Sequence, residues 1–141
     1  MKKLKINFWA VIAIVILSQV IGMAWYGLFA DTWMTMNELT MEFIVENESS
    51  SPYIMAIISS FTFAWVLAWL FKRMNVESAK DGFITAIIMG IPFSLFNLMT
   101  VYMFSFEPYG LAWIDGGENL VIWGAAGIIL GGWRKYEDAL R

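Results

Sequence analysis

The chain has no cysteine and no histidine. That absence removes thiolate nucleophiles, imidazole bases and haem ligation together, and leaves zinc without its usual ligands. Without cysteine, disulfides give no hint of redox compartment. Charge is also scarce, at 15% of residues against roughly 25% in soluble domains. Apolar residues fill the gap at 60%, well above the roughly 45 to 50% of a water-soluble globule. At 141 residues there is room for one folding unit, so the excess belongs to a single membrane domain, residues 1–141.

Crossing a hydrocarbon core takes about 20 mainly apolar residues. Four segments qualify: 6–28, 52–71, 82–104 and 111–133, the last interrupted by Asp115, Glu118 and Asn119. Lipid offers backbone groups no partner, so these runs are expected as helices. The expectation is an all-α polytopic membrane protein, an antiparallel bundle of four transmembrane helices. Lys2 to Lys5 followed by an apolar run and Gly22-Met23-Ala24 also resembles a signal peptide, but the apolar stretch exceeds the roughly 7 to 15 residues of a signal core. Cleavage is not expected.

Basic residues resist translocation and so report orientation. Lys2, Lys3 and Lys5 precede the first span, Lys72, Arg73 and Lys80 lie between the second and third, and Arg134, Lys135 and Arg141 follow the fourth. The loop 29–51 and the turn 105–110 hold six acidic residues and no Lys or Arg. Both termini are therefore expected in the cytoplasm. The net charge of -3 averages a basic inner face suited to anionic lipid with an acidic outer one, and gives no reason to expect nucleic acid. Trp9, Trp69 and Trp133 fit the inner head-group level, and Tyr26, Tyr53, Tyr102 and Trp113 the outer.

Close approach through small residues drives much of helix association in lipid. Each span carries such residues: Ser18 and Gly22; Ala56, Ser60, Ala64 and Ala68; Gly82, Ala86 and Gly90; Gly117, Gly124, Gly127 and Gly131. They predict a compact bundle, with homodimerisation through Gly127 and Gly131 as the alternative. Pro92 removes a hydrogen bond to the carbonyl of Ile88 and should kink the third span.

Polar side chains at membrane depth are expensive and by default face the bundle interior or water. Gln19, Ser59, Ser60, Thr62, Ser94, Asn97, Thr100, Glu118 and Asn119 all fall in the outer halves of their spans, whereas the inner halves hold only Thr85 as a hydroxyl and no charge. The expected site is a blind polar pocket, open outward, lined by Gln19, Asn97, Asp115, Glu118 and Asn119. Asp115 and Glu118 share a helix face, and no basic residue lies within any span to pair with them, which suits a small cation, an amine or a proton. The rival reading makes Asp115 an N-cap and Glu118 its capping-box partner, with the helix beginning near Gly116.

Met34, Met36, Met41, Met99 and Met103 gather toward the outer side, and thioethers bind copper(I). Methionine is also a routine gap-filler, and Trp33, Met36, Thr40 and Phe43 fit an interfacial amphipathic helix. No metal and no cofactor is expected. Two carboxylates without an activated nucleophile make a thin active site, so an enzyme is not expected either.

The end of the first span reads Gly22-Met23-Ala24-Trp25-Tyr26-Gly27, with Asn7-Phe8-Trp9 before it and Trp113-Ile114-Asp115-Gly116-Gly117 ahead of a glycine-rich final helix. This resembles the bacterial membrane proteins called domain-of-unknown-function family 1761 over nearly the whole chain. Members commonly carry Ser-Pro after Trp-Tyr where this chain has Gly27, and a Tyr where it has Glu118; Asp115 matches the pattern. The resemblance implies a four-span layout in a bacterial inner membrane and no particular activity. Two function classes stay open: a protein binding a small cation, an amine or a proton in its outer pocket, and a structural or accessory subunit acting through helix or loop contacts with itself or a partner membrane protein.

Overall fold

A computed structural model describes residues 2–138. The chain is all-α apart from one terminal ribbon. In order it forms β1 (Lys2–Lys5), α1 (Phe8–Met36), α2 (Met41–Glu46), α3 (Ser51–Met74), α4 (Ala79–Gly90), a π-helical segment (Ile91–Phe96), α5 (Asn97–Phe104), α6 (Tyr109–Gly132) and β2 (Lys135–Asp138). Three helical runs, α1, α3 and Ala79–Phe104, are long and apolar enough to cross a membrane. Large apolar side chains point outward along them, with Met23 71%, Phe93 71% and Ile88 65% exposed. In water such a surface would aggregate, and lipid is the solvent that suits it.

Local chemistry sets most of the boundaries. Asn7 caps α1, its side chain accepting from the Trp9 N–H at 3.2 Å. Ser78 opens α4 with its hydroxyl accepting from the Asp81 N–H at 3.0 Å and donating to the Asp81 carboxylate at 2.7 Å. Asn75 ends α3 in the left-handed region at φ 51°, which asparagine tolerates. Asn7 also donates to the Trp133 carbonyl at 3.1 Å, tying the start of α1 to the end of α6. Beyond that tie β1 and β2 pair antiparallel, Lys2 opposite Asp138 and Lys5 opposite Lys135. Nothing in the sequence pattern announced this clip.

α6 lies against both α4 and α1, while α3 packs chiefly on α1 and barely touches α6. The seam between α4 and α6 is made of glycine. A Cβ on Gly82 would overlap the Gly127 carbonyl, one on Gly127 would overlap the Gly82 carbonyl, and one on Gly131 would overlap the Ser78 carbonyl. The small-residue stripes therefore meet one another as expected, backbone on backbone. Gly127 and Gly131, the alternative dimer surface, are occupied within the chain. Gly117 departs from the stripe and sits instead beneath the Trp25 indole.

Toward the termini the helices close on an apolar core of Val11, Ile14, Ala64, Leu67, Phe71 and Ala126. At the other end α3 is bare, with every residue from Ser51 to Ser59 exposed.

One local expectation gains detail and two change. The interruption at Pro92 is a π-helical segment, Ile91–Phe96, one of the recognised ways a helix absorbs a lost i→i−4 bond. The outer loop is shorter than 29–51 because α1 continues to Met36 and α2 follows. An amphipathic helix through Trp33, Met36, Thr40 and Phe43 does not form, since the chain leaves the helix at Asn37 and restarts beyond Thr40, the cap of α2.

Candidate functional site

Two carboxylates stand three residues apart on α6, and their surroundings differ completely. Asp115 is the meeting point of three helices. Its Oδ1 accepts from the Tyr26 hydroxyl at 2.7 Å and from the Trp33 indole N–H at 3.2 Å. Its Oδ2 accepts from the Tyr102 hydroxyl at 2.7 Å. Tyr26 and Trp33 are seven positions apart on α1, hence on one face, and their rings meet edge to face at 5.8 Å. This pairing explains why α1 stays helical past the apolar run.

The capping reading of Asp115 is overturned. α6 begins at Tyr109, after Pro108, so Asp115 lies inside the helix. Its acceptors serve side chains from α1 and α5 rather than the orphan backbone N–H groups of a helix start.

Glu118 has no hydrogen-bond partner among the described residues. It lies over Gly22 of α1, where a Cβ would come within 3.1 Å of its Oε1. Here α1, α3 and α6 enclose a cleft of about 660 Å³. Glu118 and Asn119 line it from α6, Ser18, Gln19 and Tyr26 from α1, and Ser59 and Ser60 from α3, among apolar neighbours such as Met23, Ile122 and Trp123. Gln19 donates to the Ser60 hydroxyl at 3.1 Å, which in turn donates to the Ala56 carbonyl at 2.8 Å. Toward the termini the cleft stops where the Phe63 and Trp123 rings meet, centroids 4.9 Å apart. No basic residue lines it.

Of the five residues singled out from the sequence, the structure brings Gln19, Glu118 and Asn119 to this cleft. Asp115 is adjacent but turned to its aromatic partners. Asn97 is exposed and lies outside the cleft. On an uninterrupted α-helix Asn97, seven positions beyond Gly90, would return to the face packed on α6. The wider π turn, with its i→i+5 spacing, brings Leu95 there instead. Leu95 is buried against Gly116, and Asn97 swings out.

The element Gly22-x-x-Trp25-Tyr26 of α1 docks as a unit on Ile114-Asp115-Gly116-Gly117-Glu118 of α6. The Trp25 indole donates to the Ile114 carbonyl at 2.9 Å and covers Gly117. Tyr26 reaches Asp115, and Gly22 makes room for Glu118. Residues 9–131 match the family described as protein of unknown function, DUF1761. The chain belongs to that family. No curated protein and no solved structure matches it. In this DUF1761 chain, two of the three sequence elements that carried the resemblance are thus the two sides of one interface.

Sequence reasoning took Tyr26 and Tyr102 of this DUF1761 protein for head-group markers, placed Trp33 on an interfacial helix, and saw none of these or Trp25 as a hydrogen-bond donor to α6. The available signal was Asp115 itself, a carboxylate in an apolar helix. A carboxylate with no cation nearby needs donors, and tyrosine and tryptophan are the donors that apolar spans can carry.

Proposed function

We propose that this DUF1761 protein spans a bacterial inner membrane four times, with α6 as the fourth crossing and both termini in the cytoplasm, and binds a small cation or amine in the cleft beside Glu118. The fourth crossing is supported by the length of α6, 24 residues, and by its glycine seam with α4. The clip between β1 and β2 supports placing both termini on one side, and the distribution of Lys and Arg supports calling that side cytoplasmic. The role is non-catalytic, since the cleft offers one free carboxylate and amides but no activated nucleophile.

One observation carries the ligand class. Glu118 is the sole ionisable carboxylate on the wall of a cleft without a basic residue, and its neighbour Asp115 is already held by three donors. An amine entering there meets an acceptor with nothing else to bind. The test is equilibrium dialysis of the detergent-purified protein with benzylamine. Glu118→Gln should weaken binding at least about tenfold, equivalent to ~1.4 kcal/mol. Equal binding by parent and variant removes the reading.

A structural or accessory role is the second reading, favoured by the bare half of α3. Crosslinking from α2 in native membranes would then capture one repeated partner, and recovery of monomer alone counts against it.

A further inference from the structure

At the end of the molecule that carries both termini there is a second, much smaller cavity, of about 20 Å³. It lies between the start of α1, the end of α3 and the end of α6. Its charged lining residues are Lys5, Lys72 and Arg134, with no carboxylate among the lining. The Arg134 guanidinium is partly committed: Nε donates to the Gly131 carbonyl at 3.1 Å and Nη1 to the Tyr136 hydroxyl at 2.9 Å. Its Nη2 is buried and has no partner. Asn7, also in the lining, is already spent on Trp9 and Trp133. The cavity therefore presents spare donors and positive charge, and the Asn7 acceptor is occupied.

A buried polar nitrogen without a partner carries a penalty of about 1 to 3 kcal/mol unless something supplies an acceptor. The volume admits an oxygen-sized group and no more. Guanidinium is the donor best matched to the oxygens of a phosphate, and ammonium groups complement it as point charges. Position narrows the source. Lys72 closes the apolar run of α3 and Arg134 follows the last turns of α6, so the cavity sits where hydrocarbon gives way to head groups. Trp133 lines it, 50% exposed, and Trp69 follows the lining residue Ala68 on α3, 45% exposed, as indoles at the head-group level do. Phe8 and Trp9 leave apolar surface beside it on which acyl chains can lie, at 48% and 62% exposed.

We infer that the cavity bounded by Lys5, Lys72 and Arg134 takes one oxygen of a phosphate group, presented by the head group of an anionic phospholipid. The lipid oxygen enters between the three cations and completes the hydrogen bonding of Arg134, while the chains stay in the bilayer. The inference is independent of the cleft and of any ligand there.

The full chain is reconstituted in vesicles of equal parts phosphatidylglycerol and phosphatidylcholine, extracted, and its retained lipids counted by native mass spectrometry. Phosphatidylglycerol should be retained in preference to phosphatidylcholine. Lys72→Gln and Arg134→Gln should each lower that preference about fivefold, the factor associated with one basic residue at a charged membrane surface. Lys80→Gln, on α4 and outside the cavity lining, should leave it unchanged. If Arg134→Gln fails to fold, Lys72→Gln decides alone, because Lys72 makes no hydrogen bond among the described residues. Equal retention of the two lipids, or an equal effect of Lys80→Gln, overturns the site. A second arm offers inorganic phosphate to the lipid-free protein in detergent. Binding of phosphate there with the same dependence on Lys72, and displacement of phosphatidylglycerol by it, would overturn the lipid as the source and assign the cavity to a soluble ion.

Discussion

Asp115 and Glu118 are chemically similar, one turn apart on the same helix, and yet belong to different kinds of region. Around Asp115, α1, α5 and α6 converge, and three aromatic donors fix the carboxylate. Around Glu118 the helices part, because the adjoining half of α3 buries no residue, and the carboxylate faces a cleft. A polar residue in a membrane helix is therefore not by itself a pointer to a ligand. What distinguishes the two is whether neighbouring spans carry donors at the same depth and angle. Asp115 acts as a staple for three helices, and Glu118 is the group left free to act on something else.

The contrast breaks most severely if the staple is removed. Asp115→Ala leaves Tyr26, Trp33 and Tyr102 without their acceptor and loosens α1 and α5 from α6 together. Hydrogen bonds between membrane helices average about 0.6 and reach about 1.7 kcal/mol each, so three of them predict a loss of about 2 to 5 kcal/mol. Unfolding in increasing dodecyl sulfate, followed by far-ultraviolet circular dichroism, measures it. A loss under about 1 kcal/mol would mean that the three bonds do not hold the seam.

A smaller change sharpens the same contrast with tyrosine. Tyr102→Phe removes one donor and leaves Asp115 Oδ2 unpaired, for an expected loss of about 1 kcal/mol. Tyr53→Phe, at a cleft-lining residue that is 65% exposed and makes no side-chain hydrogen bond among the described residues, should change stability by less than about 0.5 kcal/mol, as exposed substitutions generally do. Equal effects in the same titration would erase the distinction between seam and cleft.

How much of this was written in the sequence follows from which interactions are local. The three apolar runs could be read because lipid imposes length and composition on each span separately. The α4–α6 seam was visible in Gly82, Ala86, Gly90, Gly124, Gly127 and Gly131, since closeness in lipid requires small residues wherever it occurs. The Asp115 staple was not, because its donors lie 89, 82 and 13 residues away and tyrosine near a span end fits the head-group level equally well. The extension of α1 to Met36 followed the same hidden pairing. Asn97 shows the limit of reasoning from depth: rise along an axis gives a residue's level, but its direction depends on an unbroken helical phase, and the π-helical segment at Pro92 resets it. The terminal ribbon escaped because two strands of four residues, one at each end, make no pattern until they are paired.

The mildest substitution bears on the other half of the contrast. Glu118→Gln keeps the shape and hydrogen-bonding reach of the side chain and removes its charge. A partly buried carboxylate without a donor from the protein is a strain on the fold, because desolvation of the charge is uncompensated. Relieving it should leave stability unchanged or raise it by up to about 0.5 kcal/mol, the opposite sign to Asp115→Ala, while the amine binding proposed for the cleft is lost. The same dodecyl sulfate titration reads it. A fall of more than about 1 kcal/mol, the worth of a typical hydrogen bond, would place Glu118 among the staples with Asp115, and the cleft would then have no free charge to offer a ligand.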